Sequence, residues 1–486
     1  MDLDAVIENG TFYSIPFPQL LHLIQQAYPT ELTRLIDAYS VPAPRDPSSF
    51  SDPSPSTILY SAEYDEINRT LTSIDLLRKI HNDDYEGFVG NQTPEARRLT
   101  RESFDEIRAL FENGLKCSED LVTLVTTIII NDLGKAPSLA LEFEQLCRKQ
   151  GGTGDAGGNH DMLLYNVTRD APGLIPCISR MPSSHREILM RGLQLGATLN
   201  FGQVAQAESP AVSLVMLEWM RDEQRANSNK TTTPDKISNT ETMRGFELRY
   251  LEQVLDVAGA LGHKDHTCAA LLLEPIYQSY KAVFEVSMGI LDGCIGWREG
   301  YDTILSQRMG MLVQENGWKR GTTLDMQNPE HRALMRLLCM CNAAMDEGPE
   351  IAELVWSTLY NELTCDTRAA LVEGLNINGE AGTPAVQATY APAICSAAIR
   401  GSQGKTKEDQ KEALAAVFRY LARVHLVSQT DAKERIISQY QGVLVLELDI
   451  RELTLPVVSS EEFQTDPSVL DGLDVPRGYC ALRVPT

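Results

Sequence analysis

Apolar residues recur every three or four positions over most of the chain, the spacing of the buried face of an α-helix. Such stretches are separated by short polar segments, and strand-like alternation is rare. The pattern therefore predicts a mostly helical protein. The predicted helices cover residues 1–40, Tyr64–Ile80, Pro94–Phe111, Leu141–Gln150, His185–Leu199, Ala211–Arg221, Met243–Leu261, Thr267–Asp292, Glu330–Met345, Ile351–Thr364 and Lys411–Val427.

Three segments interrupt this pattern and are predicted to be exposed loops. Residues 41–57 are rich in Pro, Ser and Asp, which favour turns. Residues 151–158 contain five glycines, too many for a stable helix. Residues 226–238 are polar and contain lysine, without apolar periodicity.

Only the C-terminal segment, residues 440–486, has the composition of a sheet. Gly442–Ile450 and the stretch that follows to Val458 are rich in β-branched residues and alternate in part, which predicts one short strand or a hairpin. Because strands and helices do not alternate elsewhere, a Rossmann or barrel fold is disfavoured. We expect a single large helical domain over residues 1–486, mostly α, with a small β element near the C-terminus.

The chain is strongly acidic, with 67 Asp and Glu against 43 Lys and Arg and a formal charge of −24. This charge disfavours DNA as a partner and favours a cationic ligand. The N-terminal residues lack a basic region followed by an apolar run, and no stretch reaches about 18 unbroken apolar residues. Ten dispersed cysteines without a CxxC pair are typical of reduced thiols. We expect a cytoplasmic protein that does not enter a membrane.

The apolar run Thr127–Ile130 ends abruptly in a polar group that contains Asn131, Asp132 and Lys135. A carboxylate that follows a buried segment is costly unless it is paired or binds a metal, so Asp132 is a candidate catalytic residue. The structural alternative is that Asp132 caps the next turn and that Gly134 ends the helix.

His160 and Asp161 follow the glycine-rich loop, and an imidazole beside a carboxylate can act as an acid, a base or a metal ligand. Asn131-Asp-Leu-Gly-Lys135 is similar to the His-Asp-x-Gly-Lys core of HD-domain metalloproteins. The first ligand of that core is replaced here by an amide, a poor ligand for transition metals, so no metal is expected. If the chain did contain an HD-like metal site, the additional metal ligands would come from other parts of the sequence. The candidates are His81, His160, His263, Asp265 and His266.

Three carboxylates, Asp83, Asp84 and Glu86, lie within four residues of one another. Such a group can bind a divalent ion or a guanidinium, which carboxylates bind in a bidentate manner. The alternative is an acidic helix end in water.

Two segments are similar to nucleotide-binding motifs, but their sequence context does not support nucleotide binding. Gly152-Thr-Gly154-Asp-Ala-Gly157 matches GxGxxG but follows a helix instead of a strand, and Gly401–Thr406 lacks the first glycine of a phosphate-binding loop. Basic residues gather in three places, which could form an RNA-binding patch, with Trp318 available for stacking, or could be solvated faces. These are Arg97, Arg98 and Arg101; Lys319 and Arg320; and Lys405, Lys407 and Lys411.

The length, the helical pattern and three local landmarks together resemble the fungal arginine-containing cyclodipeptide synthases. The landmarks are His81-Asn-Asp-Asp-Tyr-Glu86, Ile130-Asn-Asp-Leu-Gly-Lys135 and Gly158-Asn-His-Asp161. The resemblance implies a cytoplasmic enzyme that condenses arginine with a second amino acid. Its partners would be arginyl-tRNA and another aminoacyl-tRNA, and its product a diketopiperazine for secondary metabolism. No cofactor is expected, because the ester to tRNA is already activated.

Such a reaction needs a pocket for the guanidinium, a base for the attacking amine and donors for the oxyanion. From residue chemistry, the first role is assigned to Asp83, Asp84 and Glu86, the second to Asp132 or to His160 with Asp161, and the third to Asn131, Lys135 or Asn159. Two other classes remain open: an HD-like metal-dependent hydrolase or iron oxygenase, and a non-catalytic helical scaffold.

Overall fold

The computed structural model describes residues 2–38, 52–150, 159–228, 237–314, 317–342, 349–379, 383–435 and 443–483. These residues are mostly helical, which confirms the predicted fold class. The first twelve helices are Leu3–Glu8 (α1), Phe17–Ala27 (α2), Pro29–Ala38 (α3), Pro55–Tyr60 (α4), Asp65–His81 (α5), Tyr85–Val89 (α6), Arg101–Gly114 (α7), Ser118–Ile130 (α8), Pro137–Lys149 (α9), His160–Asp170 (α10), Pro176–Arg180 (α11) and Ser183–Gly196 (α12).

The remaining helices and the strands follow in chain order. The helices are Phe201–Ala205 (α13), Val215–Ser228 (α14), Ile237–Gly259 (α15), Glu274–Asp292 (α16), Trp297–Gln314 (α17), Pro329–Cys341 (α18), Pro349–Ser357 (α19), Cys365–Asn376 (α20), Ala391–Gly401 (α21), Lys407–Arg435 (α22), Arg451–Val458 (α23) and Glu461–Thr465 (α24). The strands are Ala385–Thr389 (β1), Val443–Asp449 (β2) and Tyr479–Arg483 (β3).

The chain folds into two compact units. The first comprises residues 1–198 and 224–277, and the second residues 199–223 and 278–486. The expectation of one domain over residues 1–486 stays a prediction.

In the first unit, α15 packs against α5, α8 and α12. α5 contributes the apolar stripe predicted from its spacing, since Ile67, Leu71, Ile74 and Leu77 are all buried. α15 is buried over most of its surface, and the buried residues include the apolar Leu248, Leu251 and Leu255 as well as the charged Arg249 and Glu252. A helix of this kind lies in the interior, so any charged side chain on it needs a partner.

In the second unit, the 29-residue helix α22 packs against α19, α20, α21 and β1. Its predicted stripe of Leu414, Val417, Phe418 and Leu421 is buried. The sheet has the order β1-β2-β3, with β1 and β2 parallel and β2 and β3 antiparallel. Because parallel strands need a crossover, α21 and α22 connect β1 to β2.

The structure confirms some predicted boundaries and corrects others. The strand predicted at Gly442–Ile450 is β2, but the stretch that follows is the helix α23 and not a second strand. The helix expected from Thr267 begins at Glu274. The predicted loop 41–57 includes the start of α4 at Pro55, and the loop 226–238 includes the end of α14 and the start of α15. Residues 39–51, 151–158 and 229–236 lie outside the described residues.

Two further expectations concern membrane-spanning helices and the state of the cysteines. None of the helices in the described part of the chain combines the length and the apolar composition that crossing a bilayer requires. All ten cysteines lie in described ranges and are free thiols, as their spacing predicted.

Candidate functional site

The polar residues after α8 form part of a buried charge cluster in the first unit. α8 ends at Ile130, and Asp132 precedes a 3-10 turn, Leu133–Lys135, without capping it through its side chain. Instead the Asp132 Oδ1 lies 2.8 Å from the Lys135 ammonium. The capping interpretation of Asp132 is therefore wrong, and its carboxylate takes part in an ion pair at a position that is 7% exposed.

A second carboxyl, Glu66 of α5, shares this ammonium. Glu66 Oε1 accepts from Lys135 at 3.3 Å and from Arg69 at 3.0 Å. Burial and then the charge of Asp132 raise the pKa of Glu66 to about 7. Glu66 Oε2 has no N–H or hydroxyl donor among the described residues, as expected for an oxygen that carries a proton and donates it to Asp132.

Asp132 is the ionised member of this pair. Burial alone would raise the pKa of Asp132, but Lys135, the hydrogen bond from Glu66 and Arg69 together hold it well below its ordinary value. Two carboxyls in contact do not both ionise readily, so the pair holds one proton near neutral pH. Asp132 is therefore a stable anion and a poor base.

The helix α15 contributes three charged residues to the cluster. Arg249, Glu252 and Asp256 lie on one face of this helix. Arg249 Nη1 donates to Glu252 Oε2 and to Asn131 Oδ1, both at 2.7 Å. Burial raises the pKa of Glu252 to about 8, although Arg249 opposes this change. Burial, and then the charge of Asp132, also raise the pKa of Asp256.

α10 closes the cluster with His160 and Asp161. His160 Nε2 lies 3.6 Å from Asp161 Oδ2, and Asp161 Oδ1 lies 3.6 Å from Arg249 Nη2. Asn159 caps α10 by accepting a hydrogen bond from the Met162 amide at 2.8 Å. The His160 side chain is 39% exposed, so it is an accessible member of the cluster.

Two glycines allow the segments that carry the cluster residues to pack closely against one another. A Cβ at position 134 would overlap the carbonyl oxygen of His160, so Gly134 lets the 3-10 turn contact the start of α10. A Cβ at position 196 would lie 2.8 Å from the guanidinium of Arg249, so Gly196 of α12 leaves room for that side chain. Gly134 is thus a packing residue here, and it does not terminate α8.

The buried charge cluster thus comprises five carboxyl groups and three permanent cations, with Asn131 and His160 at its edge. The carboxyl groups are those of Glu66, Asp132, Asp161, Glu252 and Asp256, and the cations are Arg69, Lys135 and Arg249. The excess of acid is relieved by protons on the groups whose pKa is raised. A cluster of this kind can exchange protons and can attract a cationic ligand.

Five of the nine residues proposed from the sequence meet in this cluster, namely Asn131, Asp132, Lys135, His160 and Asp161, and a sixth, Asn159, caps the helix α10 that carries the last two. The three acids proposed for the guanidinium lie elsewhere, at the surface. Asp83 pairs with Arg108 at 3.0 Å and with Arg101, Asp84 caps α6 by accepting from the Gly87 amide, and the Glu86 side chain is 80% exposed. Asp83 does bind guanidinium groups, but they belong to the chain itself.

Sequence reasoning missed Glu66, Arg69, Arg249, Glu252 and Asp256. The signal was the spacing of three and four residues between the charges of α15, which places them on one face of a helix whose other side is apolar. Such charges must face a polar partner in the interior. No local pattern, however, indicates that this partner is Asn131, more than a hundred positions away.

Among the residues that the structure describes, no group of metal ligands of the HD type is assembled around Asp132. Within the described ranges, three ligand atoms of His, Cys, Asp or Glu come within 4.8 Å of one another only at Cys117, Asp120 and His185. The positive charge next to Asp132 is that of Lys135, and the oxygen of Asn131 accepts from Arg249. His81 stacks on the Tyr13 ring, with the ring centroids 3.5 Å apart.

The second unit contains one more buried carboxyl with a perturbed pKa, Glu208. Burial raises the pKa of Glu208 to about 8, against the hydrogen bonds from the amides of Tyr390 and Ala391 at the start of α21. Arg336 holds the turn that carries Glu208 by donating to the carbonyls of Ala207 at 3.1 Å and Glu208 at 3.0 Å. Ala207 and Tyr390 both have positive φ, an uncommon conformation for residues other than glycine.

A family model described as a family of unknown function (DUF6829) matches residues 21–233 and 233–470. The chain belongs to this family. Neither a curated protein nor a solved structure matches the chain. The matched residues include those of the buried charge cluster in the first unit and Glu208 in the second.

Proposed function

We propose that this DUF6829 protein condenses arginine with a second amino acid, both supplied as aminoacyl-tRNA, into a cyclic dipeptide. Support comes from the resemblance to the arginine-containing cyclodipeptide synthases and from the acid excess of the buried charge cluster. The observation that carries the proposal is that five carboxyl groups converge on only three cations in this cluster, and that one of these carboxyl groups, Asp256, is partly exposed. A cationic side chain bound beside it would offset the excess of carboxyl groups in the cluster.

The proposed reaction forms two amide bonds and breaks two ester bonds. The α-amine of one aminoacyl-tRNA attacks the ester carbonyl of the other, and the ribose hydroxyl leaves with a proton. The free amine of the dipeptide then attacks its own ester, which closes the ring and releases the second tRNA. Since each ester is already activated, neither ATP nor a redox partner enters the balance.

His160 is the proposed base of both attacks. Its imidazole is accessible, and the Asp161 carboxylate lies 3.6 Å from its Nε2, where it can orient the ring. Asp132 is less suited, because Lys135 and Glu66 hold it as a stable anion. In this proposal Asp132 positions Lys135, whose side chain is partly exposed and whose ammonium stabilises the developing oxyanion.

The experiment is expression of the full chain in a yeast or bacterial host, followed by mass spectrometry of the culture extract. Cells with the wild-type protein are expected to accumulate diketopiperazines that contain arginine. His160→Gln should reduce the yield by about 100-fold or more, the usual contribution of a general base. Glu86→Gln, a change of an exposed acid outside the cluster, should leave the yield unchanged. If soluble wild-type protein gives no such product, the proposal fails.

A further inference from the structure

Two groups of basic residues that are distant in sequence come together in the second unit. Lys319 and Arg320 belong to a 3-10 turn, Lys319–Thr323, and Lys407 and Lys411 lie in the first turns of α22. Together with Trp318 and Trp356 they line a groove of about 630 Å³, called here the basic groove. On a chain of charge −24 this is a local concentration of positive charge.

The charges of the groove are only partly neutralised by neighbouring acids. Arg320 binds Glu353 through both oxygens, at 2.9 Å and 3.0 Å, and Lys411 has Glu408 at 3.7 Å. Lys319 and Lys407 are exposed and pair with no carboxylate among the described residues. Glu350 also lines the groove, so the cations exceed the acids there.

An aromatic and guanidinium stack forms one wall of the groove. The Arg320 guanidinium lies 3.8 Å from the centre of the Trp356 ring, and the Trp356 and Tyr360 rings are 5.2 Å apart. Arg320 is held by both Glu353 and Trp356, and about half of its side chain is exposed. A guanidinium plane held in this way can stack on an unpaired base.

The groove also contains a buried donor without an acceptor. Trp318 is 2% exposed, and its Nε1 has no hydrogen-bond partner among the described residues. A buried N–H is normally paired, so this atom indicates an acceptor that the described residues do not provide. Phosphate and base oxygens are acceptors of the required kind.

We infer that the basic groove binds single-stranded RNA, with lysines on the phosphates and a base stacked on Arg320. The basic groove by itself explains why the protein would bind a phosphodiester strand. That the strand is RNA instead of DNA is inferred from the proposed function, which uses aminoacyl-tRNA. A single strand is favoured over a duplex because stacking needs an unpaired base. The groove supplies the basic surface that an acidic protein needs in order to bind RNA.

The test is fluorescence anisotropy of a labelled single-stranded RNA dodecamer with the full-length protein at about 50 and about 200 mM salt. Wild-type protein should bind at the lower salt with a dissociation constant of about 1–100 µM and more weakly at the higher. The double variant Lys407→Glu, Lys411→Glu should weaken binding at least about tenfold. The salt slope, which is the decrease of the logarithm of the binding constant with the logarithm of the salt concentration, should fall by about 1.4, because each of two lost phosphate contacts on a single strand contributes about 0.7.

The matched control is Arg148→Glu with Lys149→Glu on α9, which changes the net charge equally at an exposed site of the first unit. It should retain at least half of the affinity. Arg320→Lys keeps the charge and removes the stacking plane, so it should weaken binding about fivefold or more without a change in salt slope.

The inference is overturned if the wild-type protein does not bind, if the control weakens binding as much as the groove variant, or if a polyglutamate peptide binds equally well. A negative result in this binding experiment would not change the expected production of diketopiperazines in the host. Conversely, a protein that binds RNA through this groove but yields no product would contradict the proposed function alone.

Discussion

Lys135 Nζ lies 2.8 Å from Asp132 Oδ1, at the point where the buried helix α8 ends. The same ammonium reaches Glu66 at 3.3 Å, so one cation serves two carboxyls that share a proton. A buried ion pair contributes little net stability when both partners are present, but the loss of one partner leaves an uncompensated charge.

Lys135→Met is therefore expected to lower the free energy of unfolding by about 3 kcal/mol. Asp132→Asn should restore part of this loss in the double variant, because the amide is neutral. Urea unfolding of the wild type, both single variants and the double variant gives the coupling energy, expected at about 1 kcal/mol or more. Strictly additive effects would show that the two side chains do not interact.

The stability of the second unit should depend on pH through Glu208. The folded-state pKa of Glu208 is raised to about 8 from an ordinary value near 4.5. The folded protein therefore binds this proton more tightly, and the stabilisation present at low pH is lost as the pH rises from about 4.5 to about 8. Glu208→Gln should remove a slope of about 1.4 kcal/mol per pH unit across that window.

The measurement is urea unfolding at a series of pH values, with the difference between wild type and Glu208→Gln plotted against pH. Glu362→Gln, a change of an exposed glutamate, is the control and should parallel the wild type. Parallel curves for Glu208→Gln and wild type would mean that Glu208 is ionised in the folded protein at neutral pH.

The helices could be predicted from the sequence because burial imposes a period that is visible locally. The stripe of α5 and the stripe of α22 are examples, and the strand β2 was evident from its β-branched residues. β1 was missed because Ala385–Thr389 is short and contains Gln387. It becomes a strand through its parallel pairing with β2 and its burial against α22, which are tertiary effects.

The candidate site could be predicted only in part. Asp132, His160 and Asp161 were evident because charge next to a buried segment or a glycine-rich loop is conspicuous. The acids of residues 83–86 are equally conspicuous in the sequence but serve as a helix cap and as partners for surface arginines. Arg249 escaped notice because its role depends on a contact with Asn131 that no local pattern encodes.

The buried charge cluster should bind an arginine-like cation and release protons as it does so. Burial raises the pKa of Glu252 to about 8 and that of Glu66 to about 7, so both retain protons near neutral pH until another cation replaces them. Calorimetric titration with L-arginine amide in two buffers of different ionisation enthalpy measures the protons released. Norleucine amide, which lacks the charge, should not bind.

Asp256→Asn is expected to weaken binding of arginine amide by about tenfold. This factor corresponds to about 1.4 kcal/mol, the contribution expected from one hydrogen bond to a charged group. Glu86→Gln should bind as the wild type does, because Glu86 lies outside the cluster. Binding without proton release, or equal binding of norleucine amide, would contradict a cation site at the cluster.

The most direct test of the cluster as a catalytic site is a reaction with purified protein, arginyl-tRNA and a second aminoacyl-tRNA, without ATP, followed by mass spectrometry. Wild-type protein and Glu86→Gln are expected to form the arginine-containing cyclic dipeptide at equal rates, and His160→Gln at a rate lower by about 100-fold or more. No product from the wild type, or equal rates from the wild type and His160→Gln, would contradict this assignment.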